Sequence, residues 1–238
     1  MKVTVVSHDS SAKKRIEKRL KDASLVLDKN SPDIVFVYGG DGSVLYSERL
    51  YPLIPKVAIR GSATSKTSFY TEDSLDGIIR RIRDNSYEQK HYSKITAEFQ
   101  DKAYDALNEI QIHNKDPYIA VRFNVYVDGA LRHGNVVGDG ILVCTPFGSG
   151  AYYYSLGGEQ FSEGLGLGFN NPHERIKSYV LKKDSVITIE ITRGDALLIR
   201  DNDEKMIRLK PKDKVSIKES KDTARFLRFP GLDGRCLQ

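Results

Sequence analysis

A chain of 238 residues is long enough for one large domain or two small ones with their own cores, and 39% hydrophobic and 29% charged residues are ordinary for a soluble globular protein. The net charge of +5 suits a phosphate-rich ligand, but Lys and Arg are spread along helix-like segments such as Lys13-Lys14-Arg15 and Arg80-Arg81, so no nucleic-acid partner is expected. No run approaches the ~20 apolar residues of a membrane span, and Met1-Lys2-Val3-Thr4-Val5-Val6 lacks the apolar core and cleavage site of a signal peptide, so a cytoplasmic protein without membrane association is expected.

The first third alternates strands with helices. Residues 3–7 read as a strand, and Ser10 can cap a helix running to Ala23, with Ile16 and Leu20 on one face. Ile34-Val35-Phe36-Val37-Tyr38 is a buried strand that breaks into Gly39-Gly40-Asp41-Gly42-Ser43 and resumes as a helix over 44–50. Such a strand–turn–helix approaches phosphates closely, because glycine has no Cβ and the helix N-terminus favours anions. Asp41 is the exception, since a carboxylate repels phosphate. It makes sense if it takes a proton from an attacking hydroxyl or holds a metal ion that neutralises the phosphates. Residues 56–60 form another short strand, and Leu75, Ile78, Ile79 and Ile82 mark a helix over 75–83. Alternation of this kind predicts a parallel sheet with a ligand site at the strands' carboxyl ends, where Asp41 would lie.

After about residue 92 period-two strands take over. Phe123-Asn124-Val125-Tyr126-Val127 runs into Asp128-Gly129, a favoured hairpin turn, and similar strands are read at 186–191, 196–200 and 215–218. The expected organisation is an α/β domain over 1–92, a β-rich domain over 93–221, and a tail over 222–238 that returns to the first. The glycine-rich stretch 157–172 reads as a long loop. Its Gly164-Leu165-Gly166-Leu167-Gly168 lacks dinucleotide-fingerprint spacing. Cys144 and Cys236 have no metal-ligand spacing, and Cys144, in an apolar run, reads as a buried inert thiol.

Two further segments carry chemistry. Asn108-Glu109 sets an amide beside a carboxylate. Inside a strand they would point to opposite faces, but at a strand's edge or bulge both can reach a sugar or base. The second is Gly138-Asp139-Gly140 followed by an apolar strand and Thr145-Pro146-Phe147-Gly148-Ser149-Gly150-Ala151-Tyr152. Small residues there let a flat ring approach the backbone.

Gly39-Gly40-Asp41-Gly42, Asn108-Glu109, and Asp139-Gly140 with Thr145-Pro146, Gly148-Ser149, Ala151-Tyr152 and Gly157-Gly158 together resemble the NAD kinase family in order and spacing over residues 33–205. The glycine–aspartate turn also occurs in phosphofructokinases and lipid kinases; the other two elements separate the readings. The resemblance implies an N-terminal Rossmann-like α/β domain, a C-terminal β-sandwich-like domain, and phosphorylation of the adenosine-ribose 2′-hydroxyl of NAD to make NADP. It gives Asp41 the role of base. It places Gly40, Gly42, Asn108, Glu109, Asp139, Ser149, Ala151 and Tyr152 against the dinucleotide. The glycine turn itself sets Gly39 and Ser43 against phosphate, and Arg60, a departure from the family, is expected to hold phosphate as well. ATP or polyphosphate would be the donor, with Mg²⁺ held by phosphates rather than by a protein metal site. A homodimer or homotetramer is implied, with the site between two domains and partly completed by a neighbour.

The chain departs from the family's pattern at several positions. Ser43 stands for a threonine and keeps the hydroxyl, whereas Phe147 and Gly150 each stand for a threonine and lose it. Each lost hydrogen bond is worth roughly 0.5–1.5 kcal/mol. Arg60-Gly61 replaces an asparagine-containing turn, and Asn202 takes a usual glycine position, which its tolerance of left-handed backbone allows. The same motifs permit a catalytically weak NAD or NADP sensor, or a kinase of another hydroxyl. Retention of Asp41 favours the kinase.

Overall fold

The computed structural model describes residues 1–61, 65 and 67–232, so Cys236 lies outside the described residues. The chain divides into two compact units: residues 1–92 with the segment from Thr223 onward, and residues 93–222.

The first unit opens with Lys2–Val6 (β1), Ser10–Asp22 (α1), Val26–Leu27 (β2), Ile34–Gly39 (β3), Asp41–Leu50 (α2), Lys56–Arg60 (β4) and Leu75–Arg83 (α3). β1 pairs in parallel with β2 and β3, and β3 with β4. These strands are apolar runs because the sheet is buried, as Val35, Phe36, Val57, Ala58 and Ile59 show. α1 buries Ala12, Ile16 and Leu20 at four-residue spacing, and α3 buries Leu75, Ile78, Ile79 and Ile82. The cap of α1 is Asp9 rather than Ser10. Its carboxylate accepts from the N–H groups of Ser11 and Ala12 at 2.8 and 3.0 Å, which makes Ser10 the first helical residue.

The remaining strands are Glu88–Phe99 (β5), Lys102–Ala106 (β6), Glu109–Asn114 (β7), Val121–Val127 (β8), Ala130–Gly138 (β9) and Gly140–Cys144 (β10). After the short helix Tyr152–Ser155 (α4) come Leu165–Asn170 (β11), Tyr179–Leu181 (β12), Ile187–Arg193 (β13), Ala196–Arg200 (β14), Ile207–Leu209 (β15) and Lys214–Arg228 (β16). In the second unit, β12-β11-β10-β7-β14-β15 form an antiparallel sheet. β13 pairs antiparallel with β8 and with the first part of β16, and β8 with β9. Alternate residues of the two layers share one core, with Ile110, Ile112, Val143 and Leu167 meeting Phe123, Val125, Ile189 and Val215. This is a β-sandwich-like unit. The β8–β9 turn is built on Asp128 and Gly129 with φ of 52° and 81°, both positive as a two-residue hairpin turn of this hand requires.

The stretch 157–172 is not one long loop, because β11 lies within it. Leu165, Leu167 and Phe169 point into the core, while Gly166 and Gly168 sit opposite Cys144 and Leu142. A Cβ on Gly166 would fall 2.6 Å from Cys144 Sγ, and one on Gly168 would fall 3.3 Å from the Tyr153 ring. Those glycines make room for α4 and its neighbours rather than turn the chain.

β16 ends in the first unit, where Phe226 pairs in parallel register with Lys56. Phe229 packs edge-on to Tyr70, and the Phe229 N–H donates to the Tyr70 hydroxyl at 2.9 Å. Among the described residues, no helix is long and apolar enough to cross a membrane.

Candidate functional site

In the first unit the glycine turn sits at the carboxyl end of β3. Gly39 has φ of +154°, and a Cβ there would fall 2.3 Å from Ser43 Oγ, so only glycine lets the strand pass into α2 this tightly. Gly40 caps α2, and its carbonyl accepts from Ser43 N–H at 3.0 Å. The half-buried Asp41 opens the helix. Its Oδ1 accepts from Ser65 Oγ at 2.8 Å, Thr67 N–H at 3.0 Å and Thr67 Oγ1 at 2.8 Å, which fixes the plane of the carboxylate. Arg60 pairs with Gly39 across the sheet. One guanidinium nitrogen donates to Ser68 O at 3.2 Å, and its buried Nε makes no hydrogen bond among the described residues. Gly42 is exposed and Ser43 is buried.

In the second unit, β7 begins at Glu109, so Asn108 lies just outside the ladder and the alternation rule does not separate the pair. Both side chains are buried, and Asn108 Oδ1 and Glu109 Oε2 have no hydrogen-bond partner among the described residues. Buried polar atoms without partners are rare in folded proteins and mark places that await one. Burial pushes the Glu109 carboxyl up to about 8, with the Asp201 charge adding to the effect and a hydrogen bond from Gln111 opposing it.

Asp201 holds this corner. Its Oδ1 accepts from the N–H groups of Asn108 and Glu109 at 2.8 and 3.1 Å, its Oδ2 from Leu107 N–H at 2.9 Å, and its own N–H donates to Glu109 O at 2.9 Å. Asp201, not Asn202, adopts the left-handed backbone, with φ of 45°. Asp201, Ser65 and Thr67 are the residues that sequence reasoning missed. The signal for Asp201 was the polar Asp201-Asn202-Asp203 run directly after the strand read at 196–200.

The turn 145–151 closes on the same corner. Thr145 N–H donates to Asn108 O at 2.9 Å and Thr145 Oγ1 to Leu107 O at 2.6 Å, while Gly148 N–H donates to Thr145 Oγ1 at 3.1 Å. A Cβ on Gly148 would fall 2.4 Å from Asn108 O and 2.6 Å from its Cα. Backbone meets backbone there, so neither side can yield. Gly148→Ala is expected to displace Asn108 and lower the unfolding free energy by about 2 kcal/mol or more, as overpacked core substitutions do; chemical denaturation measures it.

Ser149 is buried. Its hydroxyl donates to Pro146 O at 2.8 Å and accepts from Phe161 N–H at 3.4 Å, bracing the loop. Ala151 is exposed, and Tyr152 is half-buried at the start of α4. Burial, followed by the charges of Asp139 and Glu109, pushes the Tyr152 phenol up, which draws these three residues into one electrostatic neighbourhood. Asp139, between β9 and β10, accepts from Asn171 Nδ2 at 3.1 Å. The Tyr cluster divides: Tyr153 is core, packed edge-on to Phe161, and Tyr154 is exposed. Cys144 is fully buried opposite Glu109, and burial pushes its thiol up, as expected of an inert thiol. Among the described residues, no three His, Cys, Asp or Glu side chains are grouped to hold a metal ion.

Residues 107–229 match the model of the ATP-NAD kinase C-terminal domain. An NAD kinase of Thermoplasma volcanium is 31% identical over 210 residues, covering 84% of this chain and 75% of the relative. One of Thermoplasma acidophilum is 29% identical over 222 residues, covering 89% and 79%. The crystal structure of an NAD kinase from Archaeoglobus fulgidus in complex with ATP superposes with a TM-score of 0.82 at 22% identity, covering 97% of this chain and 94% of that one.

Proposed function

Since this chain belongs to the NAD kinase family, we propose that it transfers the γ-phosphoryl group of ATP to the adenosine-ribose 2′-hydroxyl of NAD, giving NADP and ADP. The observation that carries the reading is the Asn108–Glu109 corner. Two buried polar atoms lack partners, yet the backbone beneath them is fixed by Asp201 and by the Thr145 turn. A site with such atoms binds a ligand able to complete their hydrogen bonds, and a nucleoside sugar offers hydroxyls to do so.

The roles follow from the chemistry of each group. Asp41 accepts the proton of the 2′-hydroxyl as its oxygen attacks the γ-phosphorus; the new P–O bond forms and the bond to the β-phosphate oxygen breaks, releasing ADP. The braces from Ser65 and Thr67 orient the carboxylate. At neutral pH Glu109 meets the sugar largely protonated, able to donate as well as accept. Asn108, Asp139, Ser149, Ala151 and Tyr152 bind the rest of the dinucleotide, with Gly40 and Gly42 letting it approach the turn. The N-terminus of α2, with Gly39 and Ser43, and the guanidinium of Arg60 take phosphate. Mg²⁺ held by the donor's phosphates would neutralise their charge. Polyphosphate is the second candidate donor. A cytoplasmic homodimer or homotetramer completes the reading.

The test is incubation of the purified protein with NAD, ATP and Mg²⁺, with NADP followed by an NADP-specific dehydrogenase. NADP accumulating in proportion to enzyme is the expected result. No NADP with either ATP or polyphosphate, while calorimetry shows NAD bound, would replace the kinase by a dinucleotide sensor.

A further inference from the structure

Gly150 stands where the family resemblance expects a threonine, and the structure shows which side chain lies there instead. Its φ is not positive, so the backbone does not demand glycine. A Cβ on Gly150 would fall 2.7 Å from Gln160 Nε2 and 3.4 Å from Gln160 Cδ. The carboxamide of Gln160 occupies the room that a side chain at position 150 would need. Gln160 is exposed, its side chain has no hydrogen-bond partner among the described residues, and it borders a cavity of about 720 Å³ also lined by Glu159, Lys177, Ser178 and Tyr179.

A carboxamide offers two donors and an acceptor on one flat group. This one lies against Gly150, the residue between Ser149 and Ala151, both placed at the dinucleotide in the reading above.

We propose that Gln160 is a specificity-determining residue of the dinucleotide site, its carboxamide pairing with a ligand edge that sets a donor beside an acceptor. NAD has two such edges, the 6-amino side of adenine and the carboxamide of nicotinamide. The inference rests on the dinucleotide-binding role proposed above, not on phosphoryl transfer, so binding tests it separately.

The experiment is calorimetry of the full chain with NAD, its hypoxanthine analogue and its nicotinic-acid analogue, for wild type, Gln160→Ala and Gln160→Ala/Gly150→Thr. Loss of the paired edge predicts about tenfold weaker NAD binding by Gln160→Ala, the size of one or two hydrogen bonds. The analogue whose edge Gln160 reads should bind wild type weakly and the variant no worse than NAD does, which identifies the end of the dinucleotide. Threonine at 150, admitted once the carboxamide is gone, should recover part of the NAD affinity at unchanged melting temperature. A merely structural Gln160 would move the melting temperature and leave the preference among the three ligands intact. Equal NAD affinity of wild type and Gln160→Ala overturns the proposal, as does wild type that binds no NAD. Wild type that binds NAD with this preference but makes no NADP refutes the kinase reading and leaves the inference standing.

Discussion

Asp41→Asn is expected to lower NAD turnover by about 10²–10⁴-fold, the usual contribution of a positioned general base, with NAD affinity nearly unchanged. Asparagine keeps the shape of the side chain and an oxygen that can accept from Ser65 and Thr67, so the braces from those two residues survive. What it loses is basicity and charge. Steady-state kinetics with calorimetry separates the outcomes. A drop in kcat alone fits a base. Parallel loss of NAD binding would make Asp41 a ligand contact, and an unchanged rate would remove it from the mechanism.

Glu109 makes stability depend on pH. Its carboxyl is raised from 4.5 to about 8, first by burial and then by the charge of Asp201. Between those values the folded protein holds a proton that the unfolded chain has released, so raising the pH favours unfolding. The contribution is fully present below pH 4.5 and is lost as pH rises to about 8, at about 1 kcal/mol per pH unit within that window. Glu109→Gln, neutral at every pH, should flatten that fall in urea titrations run from pH 5 to pH 8. An equally steep fall in the variant would assign the dependence to another group. Asp201→Ala acts on the same corner differently. It strips the N–H groups of Leu107, Asn108 and Glu109 of their acceptor, at an expected cost of about 3 kcal/mol.

How much of this was legible in the sequence follows from how local each cause is. The parallel strands 34–38 and 56–60, the helix 75–83 and the Asp128-Gly129 hairpin rest on short apolar runs, spacing and turn chemistry, and the structure has all four. The start of α1 moved by one residue because Ser10 and Asp9 are both good caps, and only the approach of Asp9 to the Ser11 and Ala12 N–H groups decides between them. β11 was masked by glycines whose reason is packing against Cys144, Phe161 and Tyr153, although Leu165, Leu167 and Phe169 carried the period-two signal.

The site follows the same rule. Asn108-Glu109 stood out as a dipeptide, but its burial could not be read from a polar pair, and the Asp201 carboxylate that fixes it lies 92 to 94 residues away in sequence. Gly150 was visible as a departure. The Gln160 carboxamide that lies against it belongs to chain returning after α4. Ser149 was expected against the dinucleotide, and what the sequence did not show is that its donor and one acceptor position are engaged by Pro146 and Phe161. Long-range contacts of this kind leave no periodic trace in a single sequence.

The measurement that bears most directly on the account compares phosphoryl transfer from ATP to NAD and to its analogue lacking the adenosine-ribose 2′-hydroxyl, with products identified by mass. The account predicts a singly phosphorylated dinucleotide from NAD and none from the analogue. Equal phosphorylation of both, or of neither, would contradict it.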